Sequence, residues 1–201
     1  MKLVILGDVH GRFTLIDQIY QIEKPDHVLQ CGDLAEQERG ERRFNVGAYP
    51  ERLPKDFHWI YGNHERLDVE PPGDCLGFFG KRNIEGLRIV GIGGIDGKKR
   101  PVHWGANGAI EKATQIDYWP DILISHETCQ PFPHSKRGYE MGSTKLTEAC
   151  KKLKPKMHLS GHHHHYEEKI LHNVKHVRLP LIWQGYYILE NGEGYFKRWK
   201  V

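Results

Sequence analysis

Apolar residues run from Lys2 to Leu6 and stop at Gly7; after a turn, Phe13, Leu15, Ile16, Ile19, Tyr20 and Ile22 recur at helical spacing until Pro25. This predicts a strand, a loop and a helix. A second run, His27 to Gln30, meets a Gly-Asp pair, and a third, Phe57 to Tyr61, meets Gly62-Asn63-His64-Glu65. Asn83 to Gly93 alternates around Glu85-Gly86, which predicts a hairpin feeding a strand from Leu87 to Ile92. Asp121 to Ser125 reads as a buried strand ending at His126. Ser143 is placed to cap a helix through Leu153, because Leu146, Ala149, Cys150 and Leu153 share a face and Pro155 follows. Lys156 to Ser160 leads into Gly161 and four histidines. From Tyr166 onward only strands are predicted, with Asn191-Gly192 turning between Tyr186 to Glu190 and Tyr195 to Lys200. Strands interleaved with helices first and grouped last imply an α/β sandwich of sheets flanked by helices.

Composition narrows the class. With 201 residues, 38% hydrophobic and 27% charged, the chain is globular, and disorder and collagen-like structure are excluded. No internal repeat or linker divides it, so one domain over residues 1–201 is expected. No run approaches the ~20 apolar residues of a membrane span, and the first apolar stretch is too short for a secretion signal. A cytoplasmic protein is expected. The formal charge of +3 is uneven: residues 151–201 sum to +6 and the rest to −3. An anionic partner or substrate would be drawn to that end, unless it is an ordinary solvated face. Cys31, Cys75, Cys129 and Cys150 lie tens of residues apart without paired spacing, so reduced thiols are expected rather than a disulfide framework or a thiolate zinc knuckle.

The candidate chemistry sits where strands stop. Asp8 and His10, then Asp33, then Asn63 and His64, then His126, then His162 and His164 each follow a predicted strand, with glycines beside most of them to permit tight turns. Oxygen and imidazole donors without thiolate suit Mn²⁺, Fe or Zn²⁺ better than Ca²⁺. Gly91 to Gly94 lacks Rossmann and Walker spacing and reads as a turn. Trp104 and Tyr118 are isolated aromatics expected to pack rather than to stack on a base, and His27, His58, His158, His172 and His176 are expected to be surface or satisfied core residues.

These blocks, Gly7-Asp8-Val9-His10-Gly11, Gly32-Asp33, Gly62-Asn63-His64-Glu65, His126 and Gly161-His162-His163-His164, come in order across most of the chain. In that order they resemble the calcineurin-like metallophosphoesterase family. The resemblance implies a four-layer αββα sandwich of two mixed sheets flanked by helices. It implies two divalent ions, Mn²⁺ first with Fe or Zn²⁺ as alternatives, one held by Asp8, His10, Asp33 and His164 and the other by Asp33, Asn63, His126 and His162. The implied reaction is hydrolysis of a phosphate ester by a hydroxide shared between the ions, with His64 as general acid.

Family protein phosphatases carry Gly-Asp-x-Val-Asp-Arg-Gly in the second block, where this chain reads Asp33-Leu34-Ala35-Glu36-Gln37-Glu38. Glu36 could still orient His64, but Gln37 cannot supply the bidentate fork an arginine offers phosphate. This departure, with a local similarity of Lys24-Pro25-Asp26 through Leu34 to short phosphodiesterases and lariat-debranching-type enzymes, favours a diester, nucleotide-like or nucleic-acid substrate. A protein Ser/Thr phosphatase and a non-catalytic scaffold on the same fold are the alternatives. Arg12, Arg39, Lys136 and Arg137 are the candidates to replace the missing phosphate-binding arginine. His163 and His165 are surplus to the ligand set.

Overall fold

In the computed structural model, residues 1–35, 49–97, 101–133 and 140–199 are described, without the side chains of residues 101–106, 132, 133 and 140. The elements run β1 (Lys2–Leu6), α1 (Phe13–Glu23), β2 (His27–Gln30), β3 (Phe57–Trp59), β4 (Asp74–Cys75), β5 (Phe79–Ile84), β6 (Leu87–Ile92) and α2 (Pro101–Gln115). They continue with β7 (Ile122–Ser125), β8 (Phe132–Pro133), β9 (Glu140–Met141), α3 (Thr144–Leu153), β10 (Met157–Ser160), β11 (Glu167–Leu171), β12 (Val174–Arg178), β13 (Gly185–Glu190) and β14 (Glu193–Arg198).

Two six-stranded mixed sheets form, ordered β14-β13-β1-β2-β3-β4 and β11-β12-β10-β7-β6-β5. The alternation of each strand explains why they stack. Leu3, Ile5, Leu29 and Ile60 of the first sheet and its loops meet Ile89, Ile122, Ile124, Leu159 and Val177 of the second in one buried cluster. The opposite face of β1, Val4 and Leu6, packs with Ile16 and Ile19 of α1. The outer face of the second sheet, Val90, Ile92 and Leu123, packs with Ala109, Ile110 and Ala113 of α2 and with Leu146, Ala149 and Leu153 of α3. Helix, sheet, sheet and helix pair thus make the expected four layers.

Both predicted helices and the hairpin at Glu85-Gly86 form where the hydrophobic spacing places them. Helix α2 does not appear in that reading. Its sequence, with Gly105 and Gly108 and a buried face made largely of alanines, offers too little hydrophobic contrast to show a period, and Pro101 at its first position is the one start signal. Strand β3 stops two residues before Tyr61, because the Tyr61 amide turns away to donate to Gly77 O.

The arrangement points parallel strands the same way. β1, β2 and β3 run parallel in the first sheet, and β6, β7 and β10 run parallel in the second. The loops leaving β1, β2, β3, β7 and β10 come together at one edge of the sandwich, as contacts between their side chains show below.

Candidate metal centre

Five of these strand ends deliver the eight predicted side chains. The β1 loop presents Asp8 and His10, the β2 loop Asp33, the β3 loop Asn63 and His64, the β7 end His126, and the β10 loop His162 and His164. Four of the eight, His10, Asp33, His162 and His164, have φ of 46°, 57°, 68° and 55°. Non-glycine residues rarely sit in this left-handed region, and such strain gathers at functional sites. Gly62 and Gly161 make the close approach possible, since a side chain at either position would overlap Asp33 Oδ1 or Asp8 Oδ1.

Each aspartate divides its oxygens. Asp8 Oδ1 accepts the His162 amide at 2.8 Å, and Oδ2 lies 2.7 Å from His164 Nε2 and 3.7 Å from His10 Nε2, buried and without a hydrogen bond of good geometry. Asp33 Oδ1 accepts the His64 amide at 2.8 Å. Its Oδ2 stands 3.5 Å from His126 Nε2, 3.8 Å from His10 Nε2 and 4.0 Å from His64 Nε2. His126 Nδ1 donates to Cys31 O at 2.8 Å, which turns its Nε2 towards the cluster, 2.9 Å from Asn63 Oδ1. His162 packs on His126 with ring centroids 5.0 Å apart, and His10 lies 5.4 Å from both His64 and His164 by the same measure.

The donor set asks for positive charge. Asp8 and Asp33 are no more than 1% exposed, and their ion-pair partners are imidazoles. Burial opposes the ionisation of Asp33, yet His126, His64 and His10 hold its carboxyl well below the usual range. Burial likewise opposes a charge on His126, but Asp33, with Asp8 and Glu65, raises it to about 10. Burial lowers His10, and it takes His162 to about 4, so the lone pairs of these two rings are available to a cation near neutral pH. Converging carboxylate, carboxamide and imidazole donors around shared buried oxygens fit divalent metal ions.

The profile of the calcineurin-like phosphoesterase family matches residues 1–166. The chain belongs to this family. No curated protein matches it. Among solved structures, it is similar to TT1561 of Thermus thermophilus at 13% identity, with 98% of each chain covered and a TM-score of 0.66. A structure titled as a novel archaeal phosphodiesterase shares 14% identity over 99% of this chain and 100% of its own, with a TM-score of 0.55. GAP50 of Plasmodium, titled as the anchor in the inner membrane complex, shares 14% identity over 98% of this chain and 84% of its own, with a TM-score of 0.54. At these identities the likeness shows the fold.

Within this calcineurin-like fold the remaining candidates divide. Arg12 is exposed two residues beyond His10, its guanidinium 5.5 Å from the centre of the Trp183 ring. Glu36, Arg39, Lys136 and Arg137 lie outside the described residues. Tyr118 packs as expected, under Lys81 and beside the second-sheet core, while the Trp104 side chain lies outside the described set. His163 pairs with Glu127 at 2.9 Å and packs against His162, the ring centroids 4.6 Å apart.

One residue had no role in the sequence reading beyond its place in a motif. Glu65, 3% exposed, accepts the amides of Leu34 at 2.6 Å, Asp33 at 3.2 Å and Gly62, so a single carboxyl group ties the β2 loop to the β3 loop. Burial, with Asp33 adding, pushes it up to about 8. The signal was the glutamate directly after His64, but its partners are backbone groups that no residue pattern names.

Proposed function

We propose that this protein is a dinuclear metal-dependent phosphoesterase acting as one catalytic unit on a phosphodiester or nucleotide-like substrate. The observation that carries the reading is Asp33: its Oδ2 faces His10 on one side and His126 on the other, with His64 beside it. Asp8, His10, Asp33 and His164 would hold one divalent ion, and Asp33, Asn63, His126 and His162 the other. When bound, such a pair lowers the pKa of water towards neutrality and offsets the charge of phosphoryl oxygens.

The chain's own groups supply the rest. His64, held by its amide on Asp33 Oδ1, would give a proton to the leaving oxygen. Glu65 fixes the turn that aims it. Arg12 brings positive charge to the rim. A groove of about 390 Å³ lined by His165, Tyr166, Pro180, Gln184, Phe196 and Arg198 would offer both apolar and polar contacts to a substrate larger than phosphate. Gln37 in place of an arginine and the phosphodiesterase title of the archaeal neighbour support a diester over a phosphoprotein.

The test is hydrolysis of bis-p-nitrophenyl phosphate and p-nitrophenyl phosphate by chelator-stripped protein with Mn²⁺ returned. Metal-dependent turnover favouring the diester is expected, and His64→Ala should lose about 10²- to 10⁴-fold in kcat while keeping its metal. Turnover favouring the monoester would point to a phosphatase. No turnover from metal-loaded protein would leave a scaffold.

A further inference from the structure

The outer face of the second sheet gathers a second set of metal-competent side chains that phosphoester hydrolysis does not use. Cys129 follows β7, Cys150 lies on α3, His158 on β10 and His176 on β12, and each is 2% exposed or less. Strand alternation turns Leu159 and Val177 towards the other sheet and so turns the paired residues His158 and His176 towards α3. Cys129 Sγ is 3.1 Å from Cys150 Sγ and 3.6 Å from His158 Nδ1, and His158 Nδ1 is 2.9 Å from His176 Nδ1. The ligand atoms of Cys129, Cys150 and His158 all lie within 4.8 Å of one another.

Hydrogen bonding sets the tautomer of His158. Ser125 Oγ spends its one proton on Glu127 O, so at 2.6 Å it accepts from His158 Nε2. The lone pair of the neutral ring is then at Nδ1, the atom that faces the thiols. This is how a metal-binding imidazole is oriented, with its other nitrogen donating to a fixed oxygen.

We propose that Cys129, Cys150, His158 and His176 form a structural zinc site, separate from the candidate dinuclear centre. Two sulfurs and two imidazole nitrogens are a tetrahedral zinc set. Zn–S bonds of ~2.3 Å and Zn–N bonds of ~2.05 Å give tetrahedral edges of about 3.8 Å between sulfurs, 3.6 Å between sulfur and nitrogen and 3.3 Å between nitrogens. Of the six edges, Cys129–His158 matches a mixed edge, and the sulfur pair and the nitrogen pair are shorter than theirs, so these side chains must open slightly to admit the ion. Both thiols release their protons to solvent on binding. The ion would tie α3 and the segment after His126 to β10 and β12.

Cobalt substitution tests this directly. The full chain is stripped under reducing conditions, loaded with Co²⁺ and examined by absorption, alongside Asp33→Asn, which disables the dinuclear set. A thiolate-to-cobalt charge-transfer band is expected in both, with the intensity of one thiolate-bound ion per chain whatever further cobalt the parent takes up at the dinuclear centre, and displaced by Zn²⁺. Ser125→Ala should keep the band and weaken the ion's affinity by about 10- to 100-fold. Cobalt-loaded protein without the band, or a Cys129–Cys150 disulfide in protein isolated without oxidant, would overturn the proposal. The band needs thiolates, which the dinuclear set lacks, so this result and the phosphoester assay fail independently.

Discussion

Asp33 can face several candidate ligands at once because something else holds the rest of it in place. Its own amide and those of Leu34 and Gly62 converge on Glu65, whose buried carboxyl group therefore sets the spacing between the second and third strand loops. Glu65→Ala should leave these three donors without their acceptor and cost at least about 2 kcal/mol in urea unfolding, since each buried unsatisfied group costs about 1–3 kcal/mol. Glu65→Gln keeps an acceptor and should lose less stability, while kcat falls more than KM changes because His64 is no longer held in register. The eight candidate ligands and acid could be read from sequence because each is a polar residue at the abrupt end of an apolar run. Glu65 could not, because backbone amides look alike in every sequence. The Cys129, Cys150, His158 and His176 cluster was hidden for a different reason: its members come from four separate segments, and only the stacking of α3 on the second sheet closes the distance.

Among the elements, α3 shows how local signals and packing agree. Ser143 Oγ accepts the Leu146 amide at 3.1 Å and donates to Asp96 at 2.9 Å, while Leu146, Ala149, Cys150 and Leu153 are buried. Ser143→Ala should lower stability by about 1 kcal/mol, read as a lower Tm with the same unfolding slope in denaturant. The same cap and periodicity made this helix legible. Helix α2 lacks a clear stripe, and β4, β8 and β9 are two residues each, too short for alternation to register. What defines them is a neighbouring strand or sheet face, which is information the local sequence does not hold.

For the whole molecule, the first sheet is closed by a charged clamp at the other end of β1 from the candidate metal centre. Glu23 at the end of α1 accepts from Lys2 at 2.7 Å, from Tyr186 at 2.6 Å and from Lys197, joining α1 to β1, β13 and β14. Burial opposes its charge, but Lys197, Lys2 and Tyr186 outweigh burial and hold its pKa at about 2 against an ordinary 4.5. The folded state thus favours the ionised form. This stabilisation is fully present above pH 4.5 and is lost as pH falls from there towards 2. Glu23→Gln should cost roughly 1–2 kcal/mol at pH 7, after allowing for the solvent exposure of Lys197, and the gap between variant and parent should close towards pH 2 in acid unfolding curves. Among the described residues no helix is long and apolar enough to cross a membrane.

The placement of β1 has a consequence for how the protein comes into being. Its neighbours are β2, about 25 residues along the chain, and β13, whose Leu189 pairs with Leu3. β1 thus keeps an open edge until β13, about 180 residues further along, has been made, and His162 and His164 also follow long after β1. Contacts of such long sequence separation slow folding and leave strand edges exposed meanwhile. Under the proposed function, the two ions would load only once His162 and His164 have been made and β13 has closed on β1.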